Sequence, residues 1–533
     1  MAAPAEWTVM IYLAGDNNLT DASVYAMTEM KKVGSGDGVN IITQFDPRDY
    51  YLPTHRYHIG REDDGGQVTP LARDIIDTSE AGAFRGESAS ARNHEEVRRA
   101  ARRRARAAAI EEARRVTRTI AVGGAGSVRE TVLLESEDEP SVSANDTDTG
   151  SPVTLYNFMS TCVEMFPAKH YMVVLAGHGS GTNRDFLLKD ESPAGSLTIN
   201  ELKRAFEELS PELGDNRKID ILGMDTCLMS MAEVAYELRG LVKILVGSES
   251  YSPVSGWPYE PILRMLKDEI ANTTEAEEAA LEETQRIEFR VARAIVKAYV
   301  NFYADYWLGG LSVDQSALYV DAVEELKAYV DEFAGALSAA LDAEVSANQT
   351  RKLRDDLILA HWEAQSYNGE LFVDLFDFCD CLLKRQRDER IIETGTRLMN
   401  FIESTFVLKS CYSGPIYQYS YGVSIYFPWS SVEDEYGKLD FIGTNLETGW
   451  GKFLKEYTTL TRREPRPVDQ ADQNFLLKAN RDIGRFRQTQ GRGPEGQNPV
   501  RSMRNPPIYA EPEACIDARE ELSRGLQRIF NLQ

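Results

Sequence analysis

Residues 219–233 read IDILGMDTCLMSMAE. Ile219, Ile221 and Leu222 form a short apolar run that fits a buried strand, and 229–238 has the spacing of an apolar-faced helix. Between them stand Gly223, Met224, Asp225 and Cys227. The pattern therefore puts a thiol where a strand gives way to a helix. In open α/β sheets ligands gather outside the carboxyl ends of the strands. A helix N-terminus also draws a nearby thiol toward the nucleophilic thiolate. A buried, inert cysteine is the other reading of the same residues. A base supplied from elsewhere in the chain decides between them.

The segments around this stretch fit the same sheet. Residues 7–14 are a continuous apolar run, broken by Gly15-Asp16-Asn17-Asn18. A helix over about 19–33 follows, with Val24, Met27 and Met30 at helical spacing, and then a strand at 39–45. This βαβ opening predicts a parallel sheet covered by helices. A helix at 155–166 leads to the strand YMVVLA, which ends in Gly177-His178-Gly179-Ser180-Gly181. A loop or hairpin at 183–196, a helix at 197–209 and a strand at 242–247 complete the unit. From 259 to 405 the periodicity is helical, including 276–306 and 316–341. Strand character returns at 420–427, and 453–457 reads as a short helix. The fold class is α/β, a mostly parallel sheet flanked by helices, with a largely helical C-terminal half. The expected units are a catalytic α/β domain at 1–258, a mainly helical region at 259–460 and a poorly ordered tail at 461–533, rich in Pro, Gly, Arg, Gln and Asn.

The 533 residues carry a net charge of -25, which disfavours general binding to nucleic acid or a membrane surface and suits cationic partners. Residues 91–118 depart from that balance, with ten arginines and four glutamates. They predict a solvated helical insertion. Six cysteines are too few for a disulfide scaffold, and Cys379-Asp380-Cys381 has no second pair at zinc spacing. On one helix the two thiols diverge by about 200°, so they read as core packing. The N-terminus lacks a basic n-region, and no 18-residue apolar stretch occurs. A reduced, cytoplasmic location is the expectation.

Of six histidines, His178 alone sits in a glycine-rich turn directly after a buried strand. If that strand and the one ending at Asp225 are neighbours, His178 and Cys227 face each other at one sheet edge, as base and nucleophile. The N–H groups of Gly179 and Cys227 then supply an oxyanion hole. Asp225 lies two residues before Cys227, on the same side if the strand stays extended. A carboxylate raises a neighbouring thiol's pKa, the wrong sign for activation. It suits recognition of a substrate Arg or Lys instead. Capping the following helix is its alternative role.

These residues resemble the clostripain family of cysteine endopeptidases, with its caspase-like fold. The matching stretches are WTVMIYLAGDNNL near the N-terminus, YMVVLAGHGSG around His178 and KIDILGMDTCLMSMAEVAYELRG around Cys227. LVGSESYSPVSGWPY and YGVSIYFP also match. The resemblance covers about residues 7–457, interrupted by the Arg-rich segment. It implies His178 as base, Cys227 as nucleophile, Gly179 in the oxyanion hole and Asp225 as the floor of a basic S1 pocket. It places Ser248, Glu249, Ser250, Gly256 and Trp257 near that pocket as walls. Where the family commonly has Trp-Asp before His-Gly, this chain has Ala176-Gly177. Calcium dependence is known within the family, although the sequence itself requires no cofactor and singles out no ligands. Family members are often zymogens cut between the His and the Cys, where Lys189, Lys203, Arg204, Arg217 and Lys218 offer sites. The expected partners are proteins or peptides bearing Arg or Lys. The rival reading is an inactive protease-like interaction protein that uses its Arg-rich arm or tail to bind an acidic partner or RNA. An amidase or acyl-transfer enzyme with the same dyad is a smaller alternative.

Overall fold

The computed structural model describes residues 4–48, 54–61, 68–70, 148–182, 187–191, 194–214, 218–304, 306, 311–341, 347–368, 371–429, 431–443 and 446–462. The Arg-rich segment 91–118 and the tail beyond 462 lie outside them.

The strand Ala5–Gly15 (β1) is the middle of the molecule. Its run of aromatic and branched residues is buried on both faces, as a parallel strand covered by helices on each side should be. Trp7, Val9, Ile11 and Leu13 enter one core, and Met10, Tyr12 and Ala14 the other. Truncating such a Leu or Ile to Ala costs about 2–5 kcal/mol.

The helix Thr20–Val33 (α1) leads to Val39–Pro47 (β2), which pairs parallel with β1. His55–Ile59 (β3) and Val68–Pro70 (β4) extend that edge antiparallel. The chain then returns through Pro152–Met165 (α2) to Ala168–Ala176 (β5), which lies on the other side of β1. A hairpin, Leu187–Glu191 (β6) with Ala194–Leu197 (β7), stands where a loop or hairpin was expected. Ile199–Leu209 (α3), Ile219–Asp225 (β8), Ala232–Glu237 (α4) and Val242–Gly247 (β9) continue the parallel set. The nine-stranded order is β13-β10-β9-β8-β5-β1-β2-β3-β4, where β10 is Val313–Tyr319 and β13 is Val407–Ser413. Strand order reverses about β1, so the crevice between the loops after β1 and β5 is the place where an open α/β sheet binds its ligand.

Helices cover both faces. One core takes apolar residues of α1, Tyr259–Ala271 (α5) and Ile287–Tyr303 (α7). Between those two lies the short helix Glu275–Ala280 (α6). The other core takes α2, α3 and α4, together with Val323–Leu341 (α8), Ala347–Glu363 (α9), Leu375–Leu383 (α10), Glu389–Phe401 (α11) and Gly449–Arg462 (α12). A small sheet of Ser366–Tyr367 (β11), Phe372–Asp374 (β12) and Ser424–Tyr426 (β14) completes the fold. Cys379 and Cys381 are buried in α10 as packing groups. No described helix is long and apolar enough to cross a membrane.

Three expectations need correction. The stretch 316–341 is not wholly helical: it begins inside β10, which pairs antiparallel with β9 and β13. β10 hid its strand character because Asp314, Gln315 and Ser316 are buried polar residues, not an apolar alternation. The boundary at 258/259 does not separate two cores, since β10 and β13 lie in the same sheet as β8 and β9. Finally, the helix after Cys227 starts only at Ala232, with Met231 as its N-cap residue.

Candidate active site

The register of β5 on β8 pairs Leu175 with Met224 and Ala176 with Asp225. One further bond, Gly177 N–H to the Asp225 carbonyl at 3.2 Å, carries the pairing past the strand ends. His178 and Cys227 are each two residues beyond the Ala176–Asp225 pair, so both leave the same edge of adjacent strands. The chains are in close contact here. A Cβ on Gly179 would lie 2.5 Å from the Cys227 carbonyl oxygen and 3.0 Å from Thr226 Cβ. Only glycine permits that approach.

Cys227 sits in a turn between β8 and α4. Leu228 follows with φ of 63°, a left-handed conformation that costs a bulky residue about 1–3 kcal/mol. The surroundings hold it there, because Leu228 N–H donates to the Ser250 carbonyl at 2.9 Å and Ser230 N–H to the Ser248 carbonyl at 3.0 Å. The half-buried thiol is reached by Ser252 N–H, 3.3 Å from Sγ. Burial pushes the thiol's pKa up, Ser252 N–H opposes it, and Asp225 and Asp314 add to the rise. The helix-dipole activation expected from sequence is absent, because α4 begins five residues further on.

His178 Nε2 lies 2.7 Å from Oδ1 of Asn18, in the loop after β1. The contact spans the β1/β5 switch point and makes Nε2 the protonated nitrogen, since an amide oxygen only accepts. Asn18 was read from sequence only as part of a strand break. Its signal was positional: β1, β5 and β8 run parallel, so their following loops meet at one edge.

Asp225 is buried, but not as a helix cap. Its Oδ2 accepts from the Tyr259 hydroxyl at 2.9 Å, whereas Oδ1 has no partner in hydrogen-bonding geometry among the described residues. Burial raises its pKa to about 6, against the pull of the Trp257 backbone and the Tyr259 hydroxyl. Trp257 and Tyr259 belong to one core, while Cys227 packs against the other. The shared orientation expected for Asp225 and Cys227 therefore fails, because β8 ends at Asp225 and alternation does not extend into the turn. Gly256 has φ of 68°, and a Cβ there would come within 2.8 Å of Asp225 Oδ2 and 3.1 Å of Oδ1. A side chain at 256 would fill the space before the carboxylate. Trp257 is buried, with its indole against Gly223.

Ser248, Glu249 and Ser250 are fully enclosed. Ser248 Oγ bonds to the Asp314 carbonyl at 2.8 Å and to Gln315 Oε1 at 2.7 Å. Glu249 Oε2 accepts from Gly422 N–H at 2.8 Å. The N–H groups of Glu249 and Ser250 donate to the Asp314 carboxylate at 2.7 and 3.2 Å. The Ser248 hydroxyl and the backbone N–H groups of Glu249 and Ser250 tie the loop to β10, and the Glu249 carboxylate ties it to the turn at Gly422.

For calcium, the described residues offer no group of three or more His, Cys, Asp or Glu placed to hold a metal ion.

Comparison with known proteins places the chain by family and fold. Residues 11–431 match the clostripain family. Clostripain of Hathewaya histolytica is 28% identical over 131 residues, which are 22% of this chain and 24% of that protein. The chain thus spans about a quarter of the length of the curated relative it matches. A secreted C11 cysteine protease from Bacteroides thetaiotaomicron, solved with an irreversible peptide inhibitor, aligns with a TM-score of 0.50 at 14% identity, over 82% of this chain and 98% of that one. An inactive zymogen C11 protease from Parabacteroides distasonis aligns with a TM-score of 0.46 at 17% identity, over 83% and 98%. The solved structure with the TM-score of 0.50 speaks for the fold, and the family match, which covers most of the chain, speaks for descent: this chain belongs to the clostripain family.

Proposed function

We propose that the protein is a cysteine endopeptidase that cleaves after Arg or Lys, with Cys227 as nucleophile and His178 as general base. The observation that carries the reading is the β5–β8 register, which sends His178 and Cys227 out of one sheet edge beside a buried carboxylate with one open oxygen. The thiol rests protonated, because burial raises its pKa. His178 therefore takes the thiol proton as Sγ attacks the scissile carbonyl. In the resting contact Nε2 carries the hydrogen bonded to Asn18, so Nδ1 is the basic nitrogen. The N–H groups of Gly179 and Cys227 receive the developing oxyanion. The amine leaves with the proton held by His178, and a water deprotonated by the same imidazole hydrolyses the thioester. Asp225 pairs with the P1 cation, with Gly256 and Trp257 as walls.

Cys227→Ala should abolish hydrolysis of a positional-scanning library of Arg- and Lys-containing peptides, leaving less than about a thousandth of the rate. An unchanged rate would remove the assignment. Self-processing belongs to the same reading. Among its candidate sites Lys189 lies in β6, Lys203 and Arg204 lie in α3, and Lys218 pairs with Asp321 at 2.6 Å. Cleavage at these requires local opening. Arg217 is outside the described residues. Intact masses of wild type and Cys227→Ala after incubation test the idea, and identical masses sink it. For location, the sequence suggests the cytoplasm. The solved Bacteroides thetaiotaomicron relative is described as secreted, and cell fractionation decides. The inactive interaction protein is the less favoured reading, since the family match spans both strand-end motifs.

A further inference from the structure

Asp225 is held by more than its own strand. Tyr259, the first residue of α5, is itself anchored at both ends. Its backbone N–H donates to Glu29 Oε2 at 2.9 Å, and its hydroxyl donates to Asp225 Oδ2 at 2.9 Å. Glu29 is a buried residue of α1, and its other oxygen accepts from the Tyr25 hydroxyl at 3.0 Å. A line of bonds thus runs from α1 through the start of α5 to the end of β8. The phenol sits in the core with no exposed surface to wander over. It occupies one carboxylate oxygen, beside the pull of the Trp257 backbone, and Oδ1 keeps no partner in hydrogen-bonding geometry among the described residues. A buried acceptor left open costs about 1–3 kcal/mol, a cost that a donor arriving with the substrate offsets.

We propose that Tyr259 is a specificity-determining positioning residue, whose hydroxyl fixes the Asp225 carboxylate so that Oδ1 is presented to the guanidinium or ammonium group of the P1 side chain. This rests on the reading of Asp225 as the P1 acceptor. The titratable groups whose pKa the Asp225 charge raises are Tyr259 from α5, Tyr299 and Tyr303 from α7, and Cys227 in the turn after β8. No Lys, Arg or His among the described residues forms an ion pair with it. The local field therefore contains no resident cation, and the substrate supplies the positive charge. Tyr259 is also one of the two groups that pull the carboxyl pKa down from where burial would leave it.

The test measures kcat and KM of the full chain on paired peptides with Arg or citrulline at P1, from pH 5 to 8. In the wild type the Arg/citrulline ratio of kcat/KM should fall as pH drops through about 6, where Asp225 takes up its proton. Tyr259→Phe keeps the ring and removes the donor. It should raise KM for the Arg peptide by about ten-fold, more than it lowers kcat, and move the midpoint of the ratio upward. 3-Fluorotyrosine at 259, isosteric and a stronger donor, should move the midpoint downward. It keeps the test open if Tyr259→Phe folds poorly. Asp225→Asn, run beside them, separates the two claims. If Asp225→Asn flattens the ratio while both Tyr259 variants leave KM and midpoint within two-fold of wild type, the role of Tyr259 is overturned and the pocket stands. If Asp225→Asn keeps the ratio and its pH dependence, the pocket reading falls, and the proposal with it.

Discussion

Two sets of buried carboxylates lie close together in this molecule and are treated in opposite ways. Asp225, at the end of β8, receives one side-chain hydroxyl and keeps one oxygen open. Behind it, Asp314 receives the N–H groups of Glu249 and Ser250. Asp374 receives those of Asp377 and Tyr421; beside them Glu249 takes that of Gly422 on Oε2, while its Oε1 has no partner in hydrogen-bonding geometry among the described residues. Backbone donors cannot be mutated away, and they join β9, β10, β12 and the 421–422 turn into one knot. Asp314 and Asp374, with both oxygens taken by main chain, hold the fold together, whereas Asp225, half-satisfied at the sheet edge where ligands gather, is poised for one. Substitution should therefore separate them: loss of rate without loss of stability at Asp225, and the reverse at Asp374.

The largest effects break or support that contrast directly. Asp225→Asn should lower kcat/KM on Arg and Lys substrates by about a hundred- to a thousand-fold, the scale of removing one partner of a desolvated ion pair. It should change unfolding free energy by less than about 1 kcal/mol, because the Tyr259 hydroxyl still finds an amide oxygen. Asp374→Ala removes the N-cap of α10 and orphans two buried N–H groups. It should cost about 2–4 kcal/mol in urea unfolding, with activity per folded molecule retained. An Asp374→Ala protein that is fully stable, or an Asp225→Asn protein that unfolds, would erase the distinction.

The sequence makes the front of this arrangement readable and leaves its back hidden. His178, Cys227 and Asp225 stand at the ends of strands whose apolar runs are plain, so a parallel sheet alone puts them at one edge. Glu249 stands at a strand end too and was expected beside the pocket. Sequence position does not say that its side chain turns inward, because that depends on Gly422 and Asp374, more than a hundred residues away. β10 is obscure for a related reason: Asp314, Gln315 and Ser316 are buried polar residues held by the 248–250 loop, Ser230 and Gly422. Tyr259 is invisible from sequence as a partner of Asp225, since the pairing depends on how α5 packs against β8.

Asn18 sharpens the contrast at the next scale down. It bonds to His178 Nε2 at 2.7 Å across the switch point. Asn18→Ala should leave the melting temperature nearly unchanged. It should lower kcat by about 2- to 13-fold, the worth of one ordinary hydrogen bond of about 0.5–1.5 kcal/mol. The orientation of the imidazole, not substrate binding, is what is lost, so KM should hold. Asn18→Asp restores an acceptor and should recover much of kcat. A KM effect with unchanged kcat would move Asn18 from the base to the pocket.

The smallest expected effect tests the chemistry of the knot. Burial raises the pKa of Glu249, and the nearby carboxylates of Asp374 and Asp314 raise it further. Asp374 is raised as well, by burial and then by Asp377. The folded protein therefore keeps protons that the unfolded chain has released above the ordinary carboxylate range. In that window the native state binds more protons than the unfolded state, so stability must fall as pH rises from there through the folded-state pKa. Glu249→Gln imitates the protonated acid at every pH: its amide oxygen can still accept from Gly422 N–H, and its NH2 can donate to Asp374. The variant should lose less thermal stability than wild type between pH 6 and 9. The difference is a few degrees at most, since one proton is worth about 1.4 kcal/mol per pH unit. Other raised acids, such as Glu233 at about 7, tilt both proteins alike and cancel in the comparison. Parallel melting curves for the two would mean that Glu249 is ionised in the fold, and the knot would then hold a charge instead of a proton.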